Sequence, residues 1–220
     1  PDSVFDRDRP QGLHAGVLNL IDKASEVRDR ISLDASRIIT RIADGFVRPS
    51  GPSRHDIGAV IERINRLITD LIAISGLANE GMTRTHGWRF LQIGRRLERA
   101  LQTSELVSCA LVTQIEDERP LLESVLRATD SLMTYRSRYL LRMHSVAAID
   151  LLVNDETNPR SIAFQLTSIK ELLDQLPNDE SRAWLGSDQR IAEDIWHRIR
   201  MLDARELDVA TGGQRRNLQT

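Results

Sequence analysis

At 220 residues, 40% of them hydrophobic, the chain is long enough to bury a substantial core, and one domain is the starting expectation. Lys and Arg number 30 against 32 Asp and Glu, for a formal net charge of -2, and no block of five or six like charges occurs. Long-range attraction to nucleic acid or to an anionic membrane is therefore not indicated, and no apolar run approaches the roughly 18 to 20 residues that span a bilayer.

The opening PDSVFDRDRPQG has neither a basic n-region nor an apolar h-region. The single cysteine, Cys109, sits among Leu106, Val107, Ala110 and Leu111 and reads as a buried helix residue, not half of an internal disulfide. Both features lead us to expect a cytoplasmic protein in a reducing compartment. The start at Pro1 suggests a piece of something longer. Lysine occurs only at positions 23 and 170, so nearly every cation is an arginine, a forked donor suited to carboxylate or phosphate. A GC-rich genome produces the same bias.

Residues 1–11 read as a linker or frayed end. Leu13, Val17, Leu20, Ile21, Ala24 and Val27 then keep helical spacing, and Ser32 is placed to cap a helix through about Phe46. After the break VRPSGPS, Ser53 is the expected cap of a long helix bearing Ile57, Val60, Ile61, Ile64, Leu67, Ile68 and Leu71, with a glycine stop near Asn79 to Gly81. A strongly helical segment follows to about Gln114. Pro120 suits the first turn of a helix carrying Leu121, Leu122, Val125, Leu126, Leu132, Tyr135 and Tyr139. The apolar stretch Val146 to Val153 leads to Asn158 as a cap with Pro159 at the first helical position, and that helix runs to about Leu176. The last helix begins near Ser181 and ends at Gly212 and Gly213.

No stretch shows the period-two alternation of strands. The expected fold is all-α, an antiparallel bundle of about six to eight helices. It forms a single helical domain over 12–211, with 212–220 as a disordered tail.

The segment from Gly81 to Leu106 concentrates the chemistry. On an ideal helix Arg84, Trp88, Leu91, Arg95, Glu98 and Gln102 fall in one stripe, with Arg99 and Glu105 at its margins. A core-facing stripe is ordinarily apolar, so this one either carries a buried polar network or lines a site. Glu98 is the candidate catalytic acid or base, and Arg84, Trp88, Arg95 and Arg99 are candidate ligand-binding residues. Arginines beside Glu98 would lower its pKa, which favours binding over base catalysis. Tyr135 and Arg136, with Arg138 and Tyr139, make a second polar-aromatic cluster and complete the candidate ligand set.

The histidines are scattered, and the best metal fragment, Glu193, Asp194 and His197, falls short of a dimetal bundle, so no metal and no cofactor are expected. A G-x-S-x-G elbow, a phosphate-binding glycine loop and paired CxxC motifs are absent.

The run Gly81-Met82-Thr83-Arg84, Gly87-Trp88-Arg89-Phe90-Leu91 and Ile93-Gly94-Arg95-Arg96-Leu97-Glu98-Arg99-Ala100 closely resembles the central signature of the alpha-E family, a bacterial helical domain. Val27-Arg28-Asp29-Arg30-Ile31-Ser32, Tyr135-Arg136, Asn158-Pro159-Arg160-Ser161 and Ala163-Phe164-Gln165-Leu166 support the likeness, which spans about Gly12 to Leu176. The family usually opens with an earlier helix bearing a Gly-Arg-Tyr, Glu-Arg-Ala type motif, which this chain lacks, so the resemblance implies truncation at the N-terminal motif. Where the family favours Arg-Glu-Asn before Val27, this chain has Ile21-Asp22-Lys23, and Asp34 and Ser36 stand where it tends to place Glu and Trp.

The family is typically encoded beside, or fused to, a circularly permuted ATP-grasp protein, often with a transglutaminase-like protein nearby. The resemblance thus implies an accessory or substrate-binding module of an amide or peptide ligase system, not itself ATP-binding, with an ATP-grasp protein as partner and a peptide or protein as substrate. The alternatives are an enzyme using Glu98 as acid or base on a peptide-like substrate, and a scaffold whose polar stripe only fixes helix register.

Overall fold

The computed structural model describes residues 6, 9, 10, 12–47, 56–140, 142–177 and 186–219, and among them the chain forms ten α-helices and no strand, only isolated β-bridges. The helices gather into two compact units, Pro1–Thr83 and Arg84–Thr220, where the sequence led us to expect one domain.

In the first unit, α1 (Leu13–Glu26), α2 (Leu33–Ile42) and α3 (Ile57–Gly81) bury Val17, Ile42, Phe46, Val60 and Leu67. Ser32 caps α2 as expected, its hydroxyl oxygen accepting from the Ala35 N–H at 3.2 Å. A π-helical turn at Ala43–Val47 carries Phe46 into the core. The guanidinium of Arg41 clasps the buried carboxylate of Asp70 and ties α2 to α3. Ser53 lies outside the described residues. Asp56 caps α3, accepting from the Gly58 N–H at 2.9 Å, and the helix leaves through extended Met82 in place of a left-handed glycine stop.

The second unit is built on α4 (His86–Leu111), α5 (Arg119–Ala128), α6 (Leu132–Tyr139), α7 (Ser145–Val153), α8 (Ile162–Asp174), α9 (Ser187–Arg200) and α10 (Ala204–Asp208). Its α4 packs on α8, α8 on α9, and α7 on α10. Helix α7 sits at the centre with Ala148, Ile149, Leu151 and Leu152 fully buried, in keeping with its nearly unbroken apolar sequence.

Three boundaries differ from those read in the sequence. The helix expected to run through Tyr139 is two, α5 and α6, because Asp130 adopts a left-handed backbone at φ 53° that aspartate tolerates better than most side chains. Helix α8 starts at Ile162 under a Ser161 cap, not at Asn158. Finally, α9 ends at Arg200, and the segment expected to be a disordered tail is docked against the rest of its unit. Gly212 and Gly213, at φ 63° and 77°, turn the chain back so that Gln214 bridges Thr113 and the Arg215 N–H donates to the Val112 carbonyl at 2.7 Å.

Arg215 is then 1% exposed, donating to both Glu118 carboxylate oxygens at 2.6 and 2.8 Å, to Asp208 at 2.7 Å and to the Leu111 carbonyl at 3.0 Å. Burial works against its positive charge, but the hydrogen bonds and charges of Glu118 and Asp208 outweigh it and raise the guanidinium's pKa. Cys109, expected to be buried, is exposed, because α4 turns Val107 and Leu111 to the core and leaves position 109 outside.

Candidate functional site

Helix α4 lies against α8 with Arg96 half-buried between them. Its Nη1 donates to the fully buried Gln165 Oε1 at 3.4 Å, its guanidinium stands 5.5 Å from the centre of the Phe164 ring, and its Nε has no hydrogen-bond partner. Gln165 is fixed in turn, donating from Nε2 to the Pro159 carbonyl at 2.5 Å. Burial and the neighbouring charge of Arg95 hold the Arg96 guanidinium below its ordinary pKa, opposed by Glu171.

Arg99 stands one turn further along α4 and is also half-buried. Burial lowers its pKa, and the charges of Arg160, Arg95 and Arg96 lower it further. No carboxylate pairs with it and it makes no hydrogen bond among the described residues. An arginine does not shed its proton in a protein, so these shifts express burial and the repulsion that neighbouring guanidiniums exert on Arg96 and Arg99.

Arg160 reaches this face from the turn before α8, and that turn is built from buried side chains. Asn158, 2% exposed, donates to the Leu151 carbonyl at 2.9 Å and to the Ser131 hydroxyl at 3.3 Å, while its Oδ1 accepts from the Arg160 N–H at 3.2 Å. Ser161 donates to the Asp155 carbonyl at 2.5 Å and accepts from the Phe164 N–H at 3.0 Å. Thr103 of α4 donates to the Arg160 carbonyl at 3.3 Å. The Arg160 side chain pairs with Asp130 at 2.7 Å. Together Arg99, Gln102, Thr103, Thr129, Asp130 and Arg160 line most of a cleft of about 140 Å³.

The structure distributes the sequence-predicted residues unevenly. Arg95 and Arg99 belong to the cationic face. Glu98 does not form a carboxylate clasped by arginines: it is exposed and has no hydrogen bond or ion pair among the described residues. Arg84 stacks over the Trp88 ring at 4.2 Å, near the start of α4. Eleven residues at about 1.5 Å each put Trp88 about 16 Å along the axis from Arg99.

Tyr135 and Arg136 form a separate constellation. Tyr135 is fully buried, its hydroxyl donating to the Arg142 carbonyl at 3.0 Å and accepting from the His144 N–H at 2.9 Å, so it holds the connection from α6 to α7. Arg136 pairs with Glu123 at 3.1 Å on the surface. Neither lines the Arg99 cleft.

The site residues that helical periodicity did not single out are Arg160, Asp130 and Gln165. Arg160 and Gln165 sit within the Asn158 to Leu166 run that carries part of the family resemblance. Asp130 left no signal beyond a turn-forming Thr-Asp-Ser. Among the described residues no group of three or more His, Cys, Asp or Glu is placed to hold a metal, and no helix is long and apolar enough to cross a membrane.

The chain is 29% identical over 98% of its length to uncharacterized proteins of Mycobacterium tuberculosis and Mycobacterium bovis, and it spans about a quarter (25%) of the length of each. No solved structure matches it. A family model described as "a predicted alpha-helical domain with a conserved ER motif" matches residues 2–219. This chain carries Glu-Arg pairs at 62–63, 98–99 and 118–119. With that match over nearly the whole chain, and the helical fold it describes, the chain belongs to the Alpha-E family.

Proposed function

We propose that the chain is a helical substrate-binding or accessory module of an ATP-grasp amide or peptide ligase system, and that the arginine-rich face of α4 and the turn before α8 is where it meets its substrate. One observation carries this reading: Arg99 and Arg160 line one cleft, and Arg99 is half-buried there with no carboxylate paired to it among the described residues. A polar network serving only to fix helix register would pair a half-buried cation such as Arg99, since desolvating a charge without a partner is costly. Forked donors left open suit a carboxylate- or phosphate-bearing peptide-like ligand.

In this reading the Glu-Arg motif is Glu98-Arg99. Arg99 faces the cleft, and Glu98, exposed on the same helix, is a contact for the partner or for an amide or cationic group of the substrate. Trp88 and Arg84 extend the surface toward the start of α4, and Tyr135 and Arg136 brace the neighbouring connection. The module works in the cytoplasm, beside or within a polypeptide that carries the ATP-grasp activity.

The test is ATP turnover and amide-product formation by the associated ATP-grasp protein, measured with the wild-type chain, with Arg99→Gln, with Glu98→Gln and with none. Stimulation by wild type that is lost with folded Arg99→Gln supports the module. Equal rates in all four reactions overturn it.

A further inference from the structure

We infer that the cleft between α4, the α5–α6 turn and the turn before α8 is a subsite for a single oxyanion head group, a carboxylate or a phosphate, held between the guanidinium groups of Arg99 and Arg160, with Asp130 paired to Arg160 until the ligand displaces it. The assignment rests on the reading of this face as a substrate-binding surface and names the chemistry it selects.

The volume suits a head group and not a whole ligand. About 140 Å³ is small beside the roughly 300 to 1,000 Å³ of pockets that enclose drug-sized molecules, so the remainder of the ligand lies outside, along the arginine-rich face. The donors come from two elements. Arg99 is carried by α4, and Arg160 by a turn whose backbone is fixed on both sides, its N–H by Asn158 and its carbonyl by Thr103. Little backbone ordering remains to be done on binding, the condition under which polar contacts yield affinity.

Asp130 gives Arg160 a partner that a ligand can displace. Its carboxylate pairs with Arg160 at 2.7 Å, yet it is 80% exposed and Arg160 is 36% exposed. Solvated pairs of this kind shift an equilibrium by at most about fivefold. A ligand oxyanion engaging both arginines therefore displaces Asp130 at small cost and relieves the repulsion between Arg99 and Arg160. The left-handed backbone of Asp130, φ 53°, holds it at the turn between α5 and α6, where its side chain can swing into solvent without moving either helix.

The experiment titrates the full chain at low ionic strength with inorganic phosphate, with an acetylated dipeptide bearing a free C-terminal carboxylate, and with the same dipeptide as its amide. Binding is followed through the side-chain NMR signals of Arg99 and Arg160. Saturable shifts of both arginines with phosphate, with the carboxylate, or with both support the subsite, and which probe acts identifies the source of the oxyanion. The amide should leave both signals in place. Arg99→Gln and Arg160→Gln should each weaken binding at least tenfold.

Asp130→Asn, which keeps a side chain tolerant of the left-handed backbone, should tighten binding about two- to fivefold. It is the variant that keeps the test sound if an arginine replacement fails to fold. No saturable shift with either anion, equal binding by the amide, or weaker binding by Asp130→Asn overturns the assignment. If wild type still stimulates the ligase while the anions fail to bind, the subsite fails and the module reading stands. If the anions bind but all ligase reactions match, the reverse holds.

Discussion

Two arginine sites in the second unit show opposite electrostatic designs. Arg215 is 1% exposed and surrounded by acceptors: both oxygens of Glu118, one of Asp208 and the Leu111 carbonyl. Arg99 is half-buried, under the like charges of Arg160, Arg95 and Arg96, and paired with no carboxylate among the described residues. The first arrangement matches charge to charge and closes the chain terminus onto α4 and α5. The second leaves the forked donors of Arg99 without a carboxylate among the described residues. The difference lies in the carboxylates around each guanidinium: Arg215 has two, and under the proposed function the Arg99 face takes its anion from a ligand.

Replacing each arginine should sharpen or break this comparison. Arg215→Met should have the largest effect, a loss of about 3–5 kcal/mol, because Glu118 and Asp208 would be left without the cation that satisfies them. Urea denaturation measures it, and a loss below about 1 kcal/mol would remove the clamp from the comparison. Asn158→Ala comes next, at about 1–3 kcal/mol, since it leaves the Leu151 carbonyl and the Arg160 N–H without their side-chain partner inside the unit. The same variant should weaken oxyanion binding because Arg160 loses its fixed position.

Arg99→Gln should move stability the other way, unchanged or raised by up to about 1 kcal/mol, because it removes a repelled cation and breaks no ion pair. A loss as large as that of Arg215→Met would show Arg99 to be structural too.

The smallest effect concerns Asp155, whose carboxylate meets Arg138 and Thr157. Burial raises its pKa, but the Thr157 hydroxyl and N–H and the Arg138 guanidinium outweigh that and hold it below the ordinary carboxylate range. Its contribution, within about 1 kcal/mol for a partly exposed pair, is complete above the unfolded value of about 3.9 and lost as pH falls through the lower folded value. Unfolding curves of wild type and Asp155→Asn should differ at pH 6 and converge in strong acid. A constant gap would assign the contribution to packing.

What could be read locally was read well where one helix decides its own geometry. Ser32 capped α2 and the Trp88 to Ala100 run marked the family, whereas the core faces were marked only in part: Val17, Val60 and Leu67 are buried, but Ile57, Ile61, Ile68 and Leu71 of the same expected stripe are exposed. Asn158 misled because Asn-Pro before a helix is a strong cap signal, while here its amide is bonded to Leu151 and Ser131, and Ser161 takes the cap. Asp130 was missed because a single left-handed residue leaves no periodic trace.

By itself the sequence determined an all-helical chain, its Alpha-E membership and the concentration of arginines on α4, because helical periodicity and caps depend on neighbours three and four residues away. Only the tertiary structure decided which arginine is neutralised. Glu118 and Arg215 meet across 97 positions and Thr103 and Arg160 across 57. Contacts of that separation depend on where the turns send the chain, which is why Arg215 became a buried clamp while Arg99 is left without a carboxylate among the described residues.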